Sequence, residues 1–175
     1  MRAPFPLSLR IGTDIVATNR ILCPSRPNYK RLSRLAARFL HPRELDDLNH
    51  RFPNWEDGQS YDGLKRQQLS TWLAGRWAAK EAAKKAWDAT LLSFRDLRVE
   101  AETGGRVQII CDTSTRLARD PLQTDNRITE QAAQLSISHD GEYTIATVMA
   151  TPLHHDISAE LAQRKSEAEA RLADK

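Results

Sequence analysis

Between Lys65 and Asp88 the chain carries Gly75, Ala79, Ala82, Ala83 and Ala86 at helical spacing, which reads as one long helix with a seam of small residues. No other feature constrains the fold as much. Side chains this small let a helix lie unusually close to a sheet or to a second helix. The same helix contains WAAKEAAKK (77–85), in which one carboxylate, Glu81, sits among Lys80, Lys84 and Lys85. A solvated face mixes the two signs more evenly. Three cations around one acid suit a place that holds something more negative than Glu81.

The other elements follow from shorter signals. LRIGTDIVA (9–17) reads as a strand, with Leu9 and Ile11 alternating and Ile15 and Val16 β-branched. Helical patterns occupy 28–38 and begin again at Pro42 in HPRELDDLNH. RFPNWEDGQSYDG (51–63) is a loop insertion rich in turn-forming residues. After the long helix, LRVEA and RVQIIC form a hairpin through ETGG, and TSTRLARD suits a short helix. LSISHDGEYTIATVMA is a second hairpin, with HDGE at its turn and Tyr143, Ile145 and the Val148 region apolar. This order predicts an α+β fold, a small antiparallel sheet packed on the long helix. With 175 residues, the expected organisation is one domain over 1–152 and a charged tail over 153–175. That tail is alanine-rich and expected to be helical or flexible, with too few apolar residues to pack well.

A net charge of +3 permits an anionic substrate without demanding nucleic acid. Cys23 and Cys111 lie far apart with no CxxC spacing, which points to buried free thiols rather than a disulfide or zinc site. No apolar run approaches membrane-spanning length. The basic start, MRAPFPLSLR, leaves both a mitochondrial leader and a cytoplasmic location open.

Asp14 interrupts an apolar strand beside Gly12. It either ends the strand and caps a turn or does chemistry, since a buried acid needs a partner. Glu81, on the seam-bearing helix, is the second acid that could be brought to it. Two carboxylates from separate elements, completed by phosphate oxygens, suit Mg²⁺. Lys85 lies one turn beyond Glu81, and Arg76, Lys80 and Lys84 line the adjacent strip. For lysines the ordinary reading is a solvated face. Arg76 sits between Trp72 and Trp77, where a guanidinium can stack and still grip phosphate. His139, at a strand end beside Ser136 and Ser138, is a surface residue or a donor to phosphate. His154, His155 and Asp156 look like a metal cluster, but neighbours in an extended chain point apart, and they are assigned to the tail. Arg31, Arg34 and Arg38 form a basic stripe on one helix, preceded by Arg20. A Mg²⁺-dependent phosphohydrolase uses the same acids and cations. A basic nucleic-acid-binding module is the third reading, weakened because only Tyr29 and Phe39 lie among those arginines.

GTDIV…NRI, RFLHPREL, LAGRWAAKEAAKKAW and LSISHDGEYTIATV, in that order over about positions 10 to 150, resemble the holo-[acyl-carrier-protein] synthase type of 4′-phosphopantetheinyl transferase. The resemblance implies Mg²⁺-dependent transfer of phosphopantetheine from coenzyme A to a serine of an apo acyl carrier protein, releasing 3′,5′-ADP. It makes Asp14 and Glu81 metal ligands and Glu81 and Lys85 catalytic residues. It assigns Arg76, Lys80, Lys85 and His139 to coenzyme A, and Arg20, Arg31, Arg34 and Arg38 to carrier docking. It also implies a homotrimer. Where bacterial members carry a GTG-type loop, this chain has the glycine-free DATLLSFRDL, which is more similar to the fungal mitochondrial branch and favours a mitochondrial location.

Overall fold

In the computed structural model, residues 8–23, 25–57, 61–102, 104–114 and 127–173 are described. Residues 1–7, where a leader is left open, most of TSTRLARD and the tip of the 51–63 loop lie outside them. One antiparallel sheet runs in the order β1-β5-β4-β3-β2. Its strands are β1 (Arg10–Ala17), β2 (Leu97–Ala101), β3 (Val107–Asp112), β4 (Glu130–Asp140) and β5 (Tyr143–Ala150). The helices are α1 (Thr18–Ile21), α2 (Tyr29–Phe39), α3 (Pro42–Arg51), α4 (Gly63–Ala86) and α5 (His155–Ala173). The α+β architecture, the two hairpins and the long helix are those expected.

Local chemistry sets the helix starts. Asn28 caps α2 by accepting the Arg31 N–H, and Asp62 caps α4 by accepting the Lys65 N–H, which starts that helix just before Lys65. At α3, Pro42 opens the helix behind the His41 N-cap, and Glu44 reaches back to the His41 N–H.

The seam does what its composition requires. A Cβ on Gly12 would lie 2.0 Å from the Ala82 carbonyl oxygen and 2.6 Å from the Ala86 nitrogen, so β1 meets α4 backbone to backbone. The close approach decides which side chains fit beneath the helix. Gly12, Val16, Thr144, Ala146, Val148 and Ala150 face α4, whereas Ile11, Ile15, Tyr143 and Ile145 point the other way and are exposed. Ile11 and Ile15 of the first strand, and Tyr143 and Ile145 of the second hairpin, therefore lie outside the core.

The tail also differs from expectation. It is a helix, α5, as expected, but it packs: Ile157 and Leu161 are buried in the main core. Arg164 fastens the same helix by donating to the Thr113 carbonyl (2.5 Å) and to Asp96 Oδ1 (3.4 Å). Two apolar residues one turn apart suffice because they enter an existing core. Of the two free cysteines, Cys111 is buried, while Cys23 is only partly buried and contacts Ser25.

Candidate active site

Asp14 neither ends its strand nor caps a turn, since β1 continues through it to Ala17. Its register puts it on the α4 side of the sheet, one alternation from Gly12, so the contact that demands glycine also carries the acid to the helix. There Lys85 Nζ donates to Asp14 Oδ1 (2.8 Å) and to the Thr13 carbonyl (2.9 Å). Glu81, one turn earlier on α4, is half-buried and has no hydrogen bond or ion pair among the described residues. Two carboxylates with hard oxygen donors, one already drawing in a cation, fit the requirements of Mg²⁺.

Further along α4 a cavity of about 730 Å³ opens between the helix, the end of α3 and the sheet. Arg51, Lys65, Trp72, Arg76 and His139 are among its walls. The Arg76 guanidinium stacks on Trp72 with its carbon 3.5 Å from the ring centroid, and Nη2 donates to Asp47 Oδ2 at 3.2 Å. Burial lowers the Arg76 pKa to about 10, against the opposing pull of Glu44 and Asp47, so it stays charged at neutral pH. The His139 Nδ1 is 2.8 Å from Thr144 Oγ1, and burial lowers its pKa. When Thr144 donates to Nδ1, the neutral ring carries its proton on Nε2 and can give it to an anion. The cavity thus combines apolar walls with convergent donors for a phosphorylated ligand.

Lys80 is not among those donors, and its assignment to coenzyme A is corrected. Its side chain is fully buried, and Nζ reaches the Phe39 carbonyl (2.8 Å), the Phe94 carbonyl (3.1 Å) and Glu44 Oε2 (2.5 Å). An ammonium has three hydrogens, and all three are engaged. Glu44 is equally committed, accepting the N–H of His41 and of Val99. Burial lowers the Lys80 pKa to about 8, with Glu44 acting in the opposite direction. Lys80 therefore pins α4 to the end of α2, to α3 and to the turn before β2. Lys84 lies over the Phe94 ring, 4.8 Å from its centroid.

Residues 10–148 match the family profile described as the 4′-phosphopantetheinyl transferase superfamily. The chain belongs to that superfamily. It is 40% identical over 156 residues to "4′-phosphopantetheinyl transferase B, mitochondrial" of Aspergillus fumigatus, covering 84% of this chain and 96% of that one. To the holo-[acyl-carrier-protein] synthase of Bacillus subtilis it is 30% identical over 142 residues, or 79% and 92% of the two chains. A Helicobacter pylori holo-[acyl-carrier-protein] synthase solved in complex with coenzyme A matches with a TM-score of 0.50 and 25% identity, over 79% and 96%. Superfamily membership sets aside the phosphohydrolase and nucleic-acid-binding readings.

Within this phosphopantetheinyl transferase, Arg31, Arg34 and Arg38 are exposed and line a groove of about 490 Å³ with Asn28, Lys30 and Leu35. Arg20 is exposed on α1 and outside that lining. His154, His155 and Asp156 have ligand atoms within 4.8 Å of one another, contrary to the expectation that they diverge. They begin a helix rather than continue an extended chain, and Asp156 also accepts the Ile128 N–H. Sequence reasoning missed Arg51 and Lys65 on the cavity. For Lys65 a signal existed: eleven residues before Arg76, it falls on nearly the same line of the helix.

Proposed function

We propose that this chain transfers the 4′-phosphopantetheine arm of coenzyme A to a serine of an apo acyl carrier protein, with Mg²⁺, releasing 3′,5′-ADP. The observation that carries the reading is the junction of β1 and α4. It brings Asp14 onto Lys85, one turn of α4 from Glu81, while Arg76, earlier on the same helix, faces a cavity shared with His139. Asp14 and Glu81 would hold the metal, which supplies positive charge to the pyrophosphate oxygens when bound. Arg76, His139, Arg51 and Lys65 would take the remaining phosphate of coenzyme A. Lys85, one turn beyond Glu81, neutralises charge on the pyrophosphate.

Such transfers depend mainly on position and charge. The serine oxygen forms a bond to the β-phosphorus, the bond from that phosphorus to the bridging oxygen breaks, and 3′,5′-ADP carries the electron pair away. We assign the serine proton to Glu81, the carboxylate without a protein partner. The groove of Arg31, Arg34 and Arg38 receives the carrier, with Arg20 at its approach. The exposed apolar side of β1 and β5 supports self-association, and we propose a homotrimer formed through it. The relative from Aspergillus fumigatus is named as mitochondrial, and the same compartment is proposed here; among the described residues no helix is long and apolar enough to cross a membrane.

Mass spectrometry of an apo carrier protein incubated with the chain, coenzyme A and Mg²⁺ tests the reaction. A gain of one phosphopantetheine, dependent on the carrier serine and lost in EDTA, is expected. Coenzyme A cleavage without carrier would overturn it.

A further inference from the structure

The Lys85 ammonium occupies a position that the catalytic scheme needs for other purposes. It bonds Asp14 Oδ1 at 2.8 Å, and its second bond, to the Thr13 carbonyl at 2.9 Å, ties it to the strand independently of the acid. Glu81, one turn away, carries no such partner. The two proposed ligands are thus unequal before anything binds, because Asp14 is neutralised from within the chain and Glu81 is not. Lys85 is also free to leave: its side chain is 49% exposed against 18% for Asp14, and it hangs on a flexible four-carbon stem.

We propose that Lys85 is an internal counter-ion that blocks Asp14 until a pyrophosphate draws it away, so that divalent-ion binding and coenzyme A binding are coupled through this one side chain. The inference rests on the reading of Asp14 and Glu81 as metal ligands. A divalent ion on the Asp14 carboxylate would stand within a few ångströms of the ammonium, and the two like charges repel. The pyrophosphate of coenzyme A offers the ammonium an alternative anion of higher charge. With the ammonium transferred to it, Asp14 is open to the metal, and the metal in turn favours the pyrophosphate. Linkage makes the effect reciprocal: whatever factor coenzyme A contributes to ion affinity through Lys85, the ion returns to coenzyme A.

This differs from a simple phosphate-binding lysine in the sign of one observable. Removing a phosphate ligand weakens coenzyme A and leaves the empty metal site alone. Removing an internal counter-ion weakens coenzyme A and tightens the ion. Lys84, on the same turn but lying over Phe94, controls for the general loss of one positive charge.

The test is a Mn²⁺ titration of the full chain without coenzyme A, read as the electron paramagnetic resonance signal of free Mn²⁺. Wild type, Lys85→Met, Lys84→Met and Asp14→Asn are compared, each first checked for native circular dichroism. Lys85→Met should tighten Mn²⁺ by about 10-fold, Lys84→Met should change it far less, and Lys85→Met should raise the KM for coenzyme A. Unchanged or weaker Mn²⁺ binding in Lys85→Met, or equal tightening in Lys84→Met, overturns the counter-ion role. Wild-type Mn²⁺ affinity in Asp14→Asn is a different failure, because it removes the metal site on which the inference stands.

Discussion

On the side of the sheet that meets α4, β1 and β5 place Gly12, Asp14, Val16, Thr144, Ala146, Val148 and Ala150. On the opposite side the same two strands carry Ile11, Ile15, Tyr143, Ile145 and Met149, each at least 41% exposed. Strands of a lone domain normally place their bulky apolar residues inward. Here the backbone contact at Gly12 leaves no room for them, so the apolar mass is on the outside. The other end of that outer side is treated differently. Arg98, only 3% exposed, is met there by Asp112 (2.6 Å), Glu100 (3.0 Å) and Glu130 (3.0 Å). One end is closed by ion pairs and the other is left apolar, which supports the proposed self-association.

The largest expected effect comes from breaking the inner side. Gly12→Val drives a branched side chain into the Ala82 carbonyl, where the obstacle is backbone and cannot rotate away. Overpacking costs about 1–3 kcal/mol where side chains can shift; against fixed backbone the loss exceeds that of a broken buried ion pair, about 3–5 kcal/mol, and it also displaces Asp14. Thermal unfolding should show a large fall in Tm, with transfer activity lost alongside. A variant that keeps the wild-type Tm would contradict the close approach.

Next in size is the buried pin. Lys80→Met leaves Glu44 charged and unpaired in the core, a loss of about 3–5 kcal/mol, whereas Lys84→Met should stay within about 0.5 kcal/mol. Urea denaturation of the two variants side by side reads the difference. Similar midpoints would restore the solvated-face reading for Lys80.

Substitution on the outer side should spare the protomer and break the proposed assembly. Ile11→Asp with Ile15→Asp is expected to reduce the mass found by light scattering to that of a single chain. The unfolding midpoint should also lose its dependence on protein concentration. An unchanged mass would remove this side from the interface.

These contrasts mark what could be read beforehand. The seam, and the elements that carry Asp14 and Lys85, are legible because helical period and strand alternation place residues within one element, and the small residues announce a close neighbour. Lys80 was not legible. Its period on α4 matches that of Arg76 and Lys84, and what buries it is Glu44 and two carbonyls from elements distant in sequence. The direction of Ile11 and Ile15 is not legible for a related reason: alternation says which residues share a side, not which side is inward, and Gly12 settles that only once α4 is against it. The tail escaped because Ile157 and Leu161 form too short a stripe to recognise without the core they enter.

The smallest effect belongs to the arginine groove, which neither the sheet nor its interface should disturb. Arg31 and Arg34 are exposed and their guanidinium groups make no ion pair among the described residues, so reversing them costs little in folding. Charges at the rim of an interface act mainly on the rate of encounter. Arg31→Glu with Arg34→Glu should raise the carrier KM several-fold at low salt, with the difference shrinking as salt screens both proteins, on the order of a 10 Å Debye length at 0.1 M. The KM for coenzyme A should not move, because these residues belong to a groove that shares no residue with the cavity of Arg76 and His139. Steady-state kinetics with each substrate varied in turn, at two salt concentrations, separates the cases. A carrier KM unaffected at low salt would remove the groove from docking. A raised coenzyme A KM would mean that the two sites are coupled, and that the arginines act through the fold rather than by meeting an acidic partner.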